Sequence, residues 1–277
     1  MINEHVRRRI CLIARCRPRD LGLAFSAWSL TKLADYLMAT GGIGSISRES
    51  IRRILRAGGI SWQAAKTWKA SSDPDFVAKM HRVLDLYDHP PADGEVVCLD
   101  EFGPLNLQPR PGRGWRPAGH PVRLRATYHR TGGVRHMIAA LDLATGQITY
   151  RIRARKRRQE YLAFFKLVRQ RRPGQKLYVI LDNFSPHKHA EVTGWAAAND
   201  VELVFLPTYS SWLNWIEPEF AALRYFALNG TDHRTHAEQG GAIARYIRWR
   251  NARAQPKHHF APGSVIRACT SYQNKVA

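Results

Sequence analysis

Acidic residues are scarce in this sequence. Its 277 residues include 22 Asp and Glu against 43 Lys and Arg, which gives a formal net charge of +21 at pH 7. So large an excess of one sign in a folded protein predicts binding to a polyanion, of which nucleic acid is the usual one. An anionic membrane would require a basic amphipathic anchor, and no segment of the sequence has that pattern.

Cysteine is also scarce, and long apolar runs are absent. Cys11, Cys16, Cys98 and Cys269 form no CxxC pair and no Cys/His cluster with zinc-site spacing, so we expect reduced thiols in a cytosolic protein. No run of about 18 apolar residues is present, and the first residues lack the apolar core of a signal peptide. The sequence therefore predicts a cytoplasmic protein without a membrane partner.

The chain does contain enough apolar residues for a folded core. It is 44% hydrophobic and has 10 Phe, 10 Tyr and 8 Trp. The segment 89–94, with two prolines and a glycine, is the clearest linker. We therefore predict a helical region over residues 1–88, a mixed α/β region over residues 95–250 and a basic C-terminal tail over residues 251–277.

Two short amphipathic helices are predicted in the first region, after weakly patterned basic residues 1–28, and one more amphipathic helix is predicted over residues 75–87, with Tyr87 among its apolar positions. Ser29 and Ser47 are suited to cap the helix starts, and glycines at 41–44 and 58–59 to end the helices. This pattern is typical of a helix-turn-helix that reads the major groove; an ordinary helical hairpin with a solvated basic face is the alternative. The DNA-binding interpretation assigns contacts to Arg48, Arg52, Arg53 and Arg56.

Beyond the linker, the pattern changes to strands. The run from Leu177 to Asp182 is continuously apolar up to its terminal carboxylate, which is typical of a strand buried on both faces. Alternation and turn residues predict an α/β fold with an antiparallel start. The predicted strands cover 95–100, 122–128, 134–143, 147–152, 177–182 and 201–206, and the helices cover 159–171, 188–198 and residues from 214 onward.

Three carboxylates stand at the ends of these elements. Asp100 and Asp182 each end a strand, and Glu217 lies in the first turn of the helix after the 201–206 strand. Carboxylates from three elements can hold two divalent ions about 3.5–4 Å apart, an arrangement that cleaves phosphodiesters. The alternative is structural, since Asp often caps a turn and Glu favours a helix N-terminus. Glu101 and Glu219 are alternative candidates for the metal ligands. Glu101 is expected to point to the opposite side of its strand from Asp100, and Glu219 to a different side of its helix from Glu217.

Other basic and histidine-containing segments are candidate contacts. The Gly/Pro-rich loop with Arg110, Arg113 and Trp115 suits DNA backbone and an unstacked base, or is an ordinary long connection. The segment 66–69 places Trp68 between two lysines, and His187 is part of an H-x-H pair that lacks further zinc ligands. Phosphate contacts are also predicted for the dense basic run that includes Arg155, Lys156, Arg157 and Arg158.

Three blocks of this sequence resemble the DDE transposases of the mariner-type superfamily, specifically the bacterial insertion-sequence branch. They are Leu-Asp-Glu at 99–101, Leu-Asp-Asn at 181–183 and Leu-Pro-Thr-Tyr-Ser-Ser-Trp-Leu-Asn-Trp-Ile-Glu at 206–217. The last block is the specific one, and the 34 residues between Asp182 and Glu217 are a further mark of the family. The resemblance implies an RNase H-like mixed sheet with helices on both faces, preceded by a small all-α helix-turn-helix domain.

The resemblance also implies a function. Asp100, Asp182 and Glu217 would be the catalytic ligands of two Mg²⁺ ions, with Mn²⁺ as a substitute. The activity would be cut-and-paste transposition of an insertion sequence. The partner would be double-stranded DNA, both as the terminal inverted repeats and as the target. The protein would act as a homodimer in the cytoplasm, on the bacterial nucleoid. Relatives usually carry another helix-turn-helix first, so a shortened copy, an alternative start or the downstream half of a two-frame element is expected. The alternatives are an inactive DNA-binding remnant and an RNase H-like nuclease without joining activity.

Overall fold

The computed structural model of this protein describes residues 2–41, 43–64, 71–125 and 132–268. Contacts divide the chain into two compact units, Met1–Trp68 and Lys69–Ala277. The predicted Lys/Trp segment at 66–69, the end of the predicted 122–128 strand and Cys269 lie outside the described residues. Within those residues, no helix combines the length and apolar character that crossing a membrane would require.

The first unit is a three-helix domain. Its helices are α1 (Glu4–Arg15), α2 (Leu30–Ala39) and α3 (Arg48–Ala57), with a short 3-10 helix at Pro18–Leu21. The predicted caps are confirmed, because Ser29 and Ser47 side chains accept hydrogen bonds from the N–H groups of Lys32 and Ser50. The core of this unit is formed by Ile10, Trp28, Leu33, Ala34, Leu37, Ile51 and Ile54.

Helix α1 was not predicted, because residues 1–28 carry so many arginines that their pattern is weak. The structure shows Asn3 as its cap, with the side chain accepting from the Val6 N–H at 2.9 Å. Ile10 is fully buried against the other two helices. The arginines of α1 are exposed, except Arg9, which is half-buried. The expectation that only a basic segment precedes Ser29 was therefore wrong.

The second unit is a five-stranded mixed sheet in the order β3-β2-β1-β4-β5. β1 pairs with β2 in antiparallel fashion and with β4 in parallel, and β5 is parallel to β4. The elements in chain order are α4 (Phe76–Asp88), β1 (Gly94–Leu105), β2 (Arg135–Asp142), β3 (Ile148–Arg153), α5 (Arg158–Gln170), β4 (Lys176–Leu181), α6 (Ala190–Ala198), β5 (Val201–Phe205), α7 (Glu217–Leu223), a π-helix (Arg224–Leu228) and α8 (His236–Asn251).

Helices cover both faces of this sheet, as predicted. On one face, strand residues such as Cys98 and Ile180 pack with α4, α7 and α8. On the other face, residues such as Leu99 and Val179 pack with α5 and α6. β1 and β4 contribute alternate residues to each core, so the apolar run in β4 is explained by burial on both sides.

Three sequence expectations differ from the structure. Residues 122–125 form no strand, and Val122 is 59% exposed, because β1 extends to Leu105 and pairs directly with β2. The boundary predicted at 89–94 lies instead near Trp68, since α4 packs on the sheet. The expected C-terminal tail also packs on this unit, where Phe260 is buried and the Lys257 N–H donates to the Leu143 carbonyl oxygen.

Candidate active site

Asp100 and Asp182 come from neighbouring parallel strands. β1 and β4 pair in register through Cys98 and Ile180, and the two aspartates lie two residues further along each chain. Neighbouring strands are about 4.8 Å apart. The register therefore brings the two aspartates side by side at the carboxyl edge of the sheet, where α/β folds hold their ligands.

Glu217 reaches the same site from α7, of which it is the first residue. Its N–H donates to the Asn214 carbonyl oxygen at 3.1 Å. The Asn214 side chain is fully buried and donates from Nδ2 to the Leu99 carbonyl oxygen at 2.9 Å and to Asp100 Oδ2 at 3.3 Å. Asn214 thus connects the middle of β1 to the start of α7. Asp100, predicted to end its strand, lies within β1, which continues to Leu105.

Tyr87 of α4 holds the segment that contains Asn214. Its buried hydroxyl donates to the Leu213 carbonyl oxygen at 2.7 Å and accepts from the Trp215 N–H at 3.3 Å. Burial raises the pKa of Tyr87 well above its ordinary value, so the hydroxyl remains a neutral hydrogen-bonding group. The two hydrogen bonds flank Asn214 and fix its backbone.

The acidic groups act on one another electrostatically. Asp100 is only 7% exposed. Burial, together with the charges of Asp182, Glu217 and Glu101, raises the pKa of Asp100 to about 8, against an opposing hydrogen bond from the Glu101 N–H. The negative charges of Asp182 and Glu217 therefore disfavour ionisation of Asp100.

His187 contacts Asp182. It is fully buried, and its Nδ1 lies 3.0 Å from Asp182 Oδ1 and 3.3 Å from the Asp182 backbone oxygen. Burial alone would raise the pKa of Asp182, but the hydrogen bonds from His187 and from the Phe184 N–H lower it below its ordinary value. The ring of Tyr161 packs edge-on against His187 at 4.3 Å and limits its rotation. The sequence pointed to His187 but not to this contact.

The two rival glutamates have cationic partners. Glu101 accepts from Lys156 Nζ and from the Tyr161 hydroxyl, both at 2.6 Å. Glu219 is paired with Arg250 at 2.8 Å and with Lys257 at 2.7 Å. Glu219 therefore serves to hold α7 against the C-terminal residues.

The donor set fits a divalent metal ion. Carboxylate oxygens are the ligands that Mg²⁺ prefers. Ligand atoms of Glu101, Asp182 and His187 lie within 4.8 Å of one another, but Glu101 is already paired with Lys156. A cation bound by Asp100, Asp182 and Glu217 would offset the burial and the neighbouring negative charges that raise the pKa of Asp100.

Comparison with known proteins gives the family. A model described as DDE superfamily endonuclease matches residues 95–238, which is more than half of the chain. This chain belongs to the DDE superfamily endonucleases. The match covers all five strands of the sheet and extends through the start of α8. No curated protein sequence matches this DDE endonuclease significantly.

Solved structures share the fold of this DDE endonuclease. A Mos1 transposase paired-end complex with the left transposon end matches with a TM-score of 0.61 at 14% identity, covering 88% of this chain and 71% of the other. The Mos1 strand transfer complex matches with a TM-score of 0.59 at 15% identity, covering 88% and 70%. The Mos1 mariner paired-end complex with Mn has a TM-score of 0.59 at 16% identity, covering 81% and 68%. These likenesses establish an RNase H-like mixed α/β fold.

The predicted DNA contacts of this DDE endonuclease in its first unit lie on α3. Arg48, Arg52, Arg53 and Arg56 are all exposed. The guanidinium of Arg52 donates two hydrogen bonds to the Glu49 carboxylate, at 2.7 and 2.8 Å. Ile51 and Ile54 face the core, so α3 presents its arginines on the solvent side.

In the second unit, the predicted contacts differ in their surroundings. Trp115 is 98% exposed and Arg113 is exposed, whereas Arg110 is half-buried. Arg155 is exposed, and the next three basic residues pair with acids: Lys156 with Glu101, Arg157 with Glu160 and Arg158 with Glu191. The basic run therefore includes structural ion pairs that its sequence does not reveal.

Proposed function

We propose that this DDE endonuclease is a transposase, which cuts an insertion sequence from DNA and joins it to a new site. The observation that carries the proposal is the placement of Asp100 and Asp182 side by side on the neighbouring strands β1 and β4, with Glu217 at the start of α7 linked to Asp100 through Asn214. The Mos1 complexes that share the fold contain a transposon end or a strand transfer state, and this favours transposition among the reactions of the superfamily.

The proposed cofactor is a pair of Mg²⁺ ions, for which Mn²⁺ can substitute, and the proposed ligands are Asp100, Asp182 and Glu217. Bound divalent ions activate the attacking oxygen and stabilise the leaving oxygen of a phosphodiester. His187 orients Asp182 through Nδ1, and Asn214 orients Asp100 through Nδ2. These contacts would fix the carboxylates before DNA binds, which lowers the entropic cost of reaching the reactive geometry.

The proposed partner is double-stranded DNA, first as terminal inverted repeats and then as target. Helices α2 and α3 are proposed as the helix-turn-helix, with Arg48, Arg53 and Arg56 exposed for contact. Joining two ends to one target requires two active sites, so a homodimer on DNA is proposed. Its place of action would be the cytoplasm, on the bacterial nucleoid.

The proposal is tested by incubating the protein with Mg²⁺, a duplex carrying the inverted repeat that flanks the gene, and target DNA. We expect cleavage at the repeat end followed by a joined product. Asp100→Asn, Asp182→Asn and Glu217→Gln should each reduce both steps by about 10³-fold or more, as loss of a group acting in the transition state does. The control Asp85→Asn removes an exposed carboxylate on α4 and should leave both steps unchanged.

Two outcomes would contradict the proposal in different ways. Cleavage without any joined product would make the protein a nuclease. Background cleavage that is equal in the wild type and in Asp182→Ala, with DNA binding retained in both, would make it a binding remnant.

A further inference from the structure

Two arginines of the second unit, Arg110 and Arg224, are candidates for binding an anion. Arg110 belongs to the segment after β1, and Arg224 is the first residue of the π-helix that continues α7. Among the residues that the structure describes, neither guanidinium forms an ion pair. Arg110 is half-buried, whereas Arg224 is exposed. A half-buried cation without a carboxylate partner, such as Arg110, is a candidate anion site.

Arg224 has a defined position relative to the acidic triad. It follows Glu217 by seven residues, so both lie on the same side of the helix, about 10 Å apart along its axis. Its guanidinium lies over the Phe102 ring at 5.2 Å, and Phe102 follows Asp100 by two residues on the same face of β1. Stacking on a ring leaves the N–H edge of a guanidinium available for an anion.

The backbone brings Arg110 to the end of the π-helix. The Arg110 N–H donates to the Thr231 carbonyl oxygen at 3.0 Å, and its own carbonyl oxygen accepts from the Gly230 N–H at 2.9 Å. Gly112 makes this approach possible, because an added Cβ would lie 2.4 Å from the Gly230 nitrogen. The Asn229 N–H in turn donates to the Arg224 carbonyl oxygen at 2.8 Å, which closes the π-helical turn.

The side chain of Arg110 also lacks full hydrogen bonding. Within the described part of the chain, its Nε is buried without a partner, and its Nη2 donates to Asn106 Oδ1 at the long distance of 3.5 Å. Burial, with a smaller contribution from the Arg224 charge, lowers the pKa of Arg110. A bound anion would accept a hydrogen bond from the unsatisfied Nε of Arg110. Its negative charge would also offset the burial of the Arg110 guanidinium and its repulsion by Arg224.

We propose that Arg110 and Arg224 form a binding subsite for one backbone phosphate of DNA, close to the bond that is cut. This inference rests on the proposed function. Phe102, on which Arg224 stacks, lies about 7 Å from Asp100 along β1, and Arg224 lies about 10 Å from Glu217 along the helix. DNA rises about 3.4 Å per nucleotide along its axis. The phosphate bound by the two arginines is therefore within about three nucleotides of the scissile one.

Binding of a short duplex of arbitrary sequence, measured without divalent metal over a range of salt concentrations, tests the charge assignment. Arg224→Ala and Arg110→Ala should each weaken binding about 3- to 10-fold and lower the slope of log K against log salt by about 1. Arg224→Lys should retain the wild-type slope. The control Lys166→Ala removes one exposed positive charge from α5, on the opposite face of the sheet, and should change neither quantity.

A duplex with one neutral methylphosphonate, moved stepwise along the strand that the wild type cuts, tests the position. At one position within about three nucleotides of the cut, the methylphosphonate should weaken DNA binding by the wild type. The same methylphosphonate should cause no further loss of DNA affinity in the Arg224→Ala variant. The inference is overturned if the wild type binds and cuts DNA but no position shows this non-additivity. It is also overturned if Arg224→Ala lowers the unfolding temperature while affinity and salt slope stay unchanged. A wild type that neither binds nor cuts DNA would overturn the proposed function itself.

Discussion

At the scale of single residues, Asp100 has the most altered environment in the candidate site. Its pKa is raised to about 8 by burial and by the neighbouring carboxylates, so the protonated form predominates at neutral pH in the absence of metal. A metal ion binds only the ionised form and must displace that proton. Protonation of Asp100 therefore competes directly with metal binding.

This competition predicts a pH dependence. Below pH 8 the affinity for Mn²⁺ should rise about tenfold per pH unit, and it should level off above pH 8 as Asp100 becomes fully ionised. Calorimetric titration in buffers with different ionisation enthalpies should detect release of about one proton per ion bound at pH 7. An affinity that is constant from pH 6 to 9 would show that metal binding displaces no proton from Asp100 in this range, and would contradict the raised pKa.

His187 provides a second prediction at this scale. His187→Ala removes the contact at 3.0 Å that orients Asp182, and we expect it to lower Mn²⁺ affinity about 10- to 100-fold. His187→Asn can place an amide N–H near the former Nδ1 position, so it should recover part of that affinity. Equal Mn²⁺ affinities for the wild type and both variants would remove His187 from any positioning role.

At the scale of elements, the site depends on how the segment before α7 is held. The Tyr87 hydroxyl binds the backbone on both sides of Asn214, and Asn214 connects Asp100 to Glu217. Neither role is visible in the sequence, because Tyr87 reads as one apolar position of an amphipathic helix. Its hydroxyl acquires a function only when α4 packs on the sheet.

Tyr87→Phe is therefore expected to destabilise the protein. It leaves the buried Leu213 carbonyl oxygen without its donor, at a cost of about 1–3 kcal/mol. Tyr150→Phe is a matched control, since no hydrogen bond of the Tyr150 hydroxyl is present among the described residues, and it should cost much less. Urea unfolding measures both values, and equal free energies of unfolding for the two variants would contradict the account.

Elements were predictable where burial and chain pattern agree. β4 is apolar throughout because both of its faces are covered, and α4 and α5 show a single apolar face. The pattern failed where surface composition dominates, as in α1, whose only fully buried side chain is Ile10. It failed again at 122–125, where apolar and basic residues alternate without a partner strand.

The candidate site was predictable only in part. Asp182 directly follows β4 and Glu217 begins α7, so the positions of these two carboxylates follow from the strand and helix assignments. Asp100 lies within β1, which is longer than predicted. The pairing of Lys156 with Glu101 and the contact of His187 with Asp182 depend on side chains that meet across the sheet edge. Sequence spacing contains no information about such contacts.

At the scale of the whole molecule, the net charge of +21 is spread over both compact units. In the first unit, exposed arginines of α3 face solvent. Replacing Arg48 and Arg53 with Ala should weaken DNA binding and lower the slope of log K against log salt by about 1 for each phosphate that is no longer bound. The same double variant should bind Mn²⁺ like the wild type, because the acidic triad is in the other unit. A Mn²⁺ affinity that falls along with the DNA affinity would contradict this separation of roles.

The most direct test of the central claim is anomalous diffraction from crystals of the protein grown with Mn²⁺ and a DNA end. The account predicts anomalous peaks within about 2.0–2.6 Å of carboxylate oxygens of Asp100, Asp182 and Glu217. Mn²⁺ bound elsewhere, or a structure in which Glu217 contributes no oxygen to an ion held by the two aspartates, would contradict it.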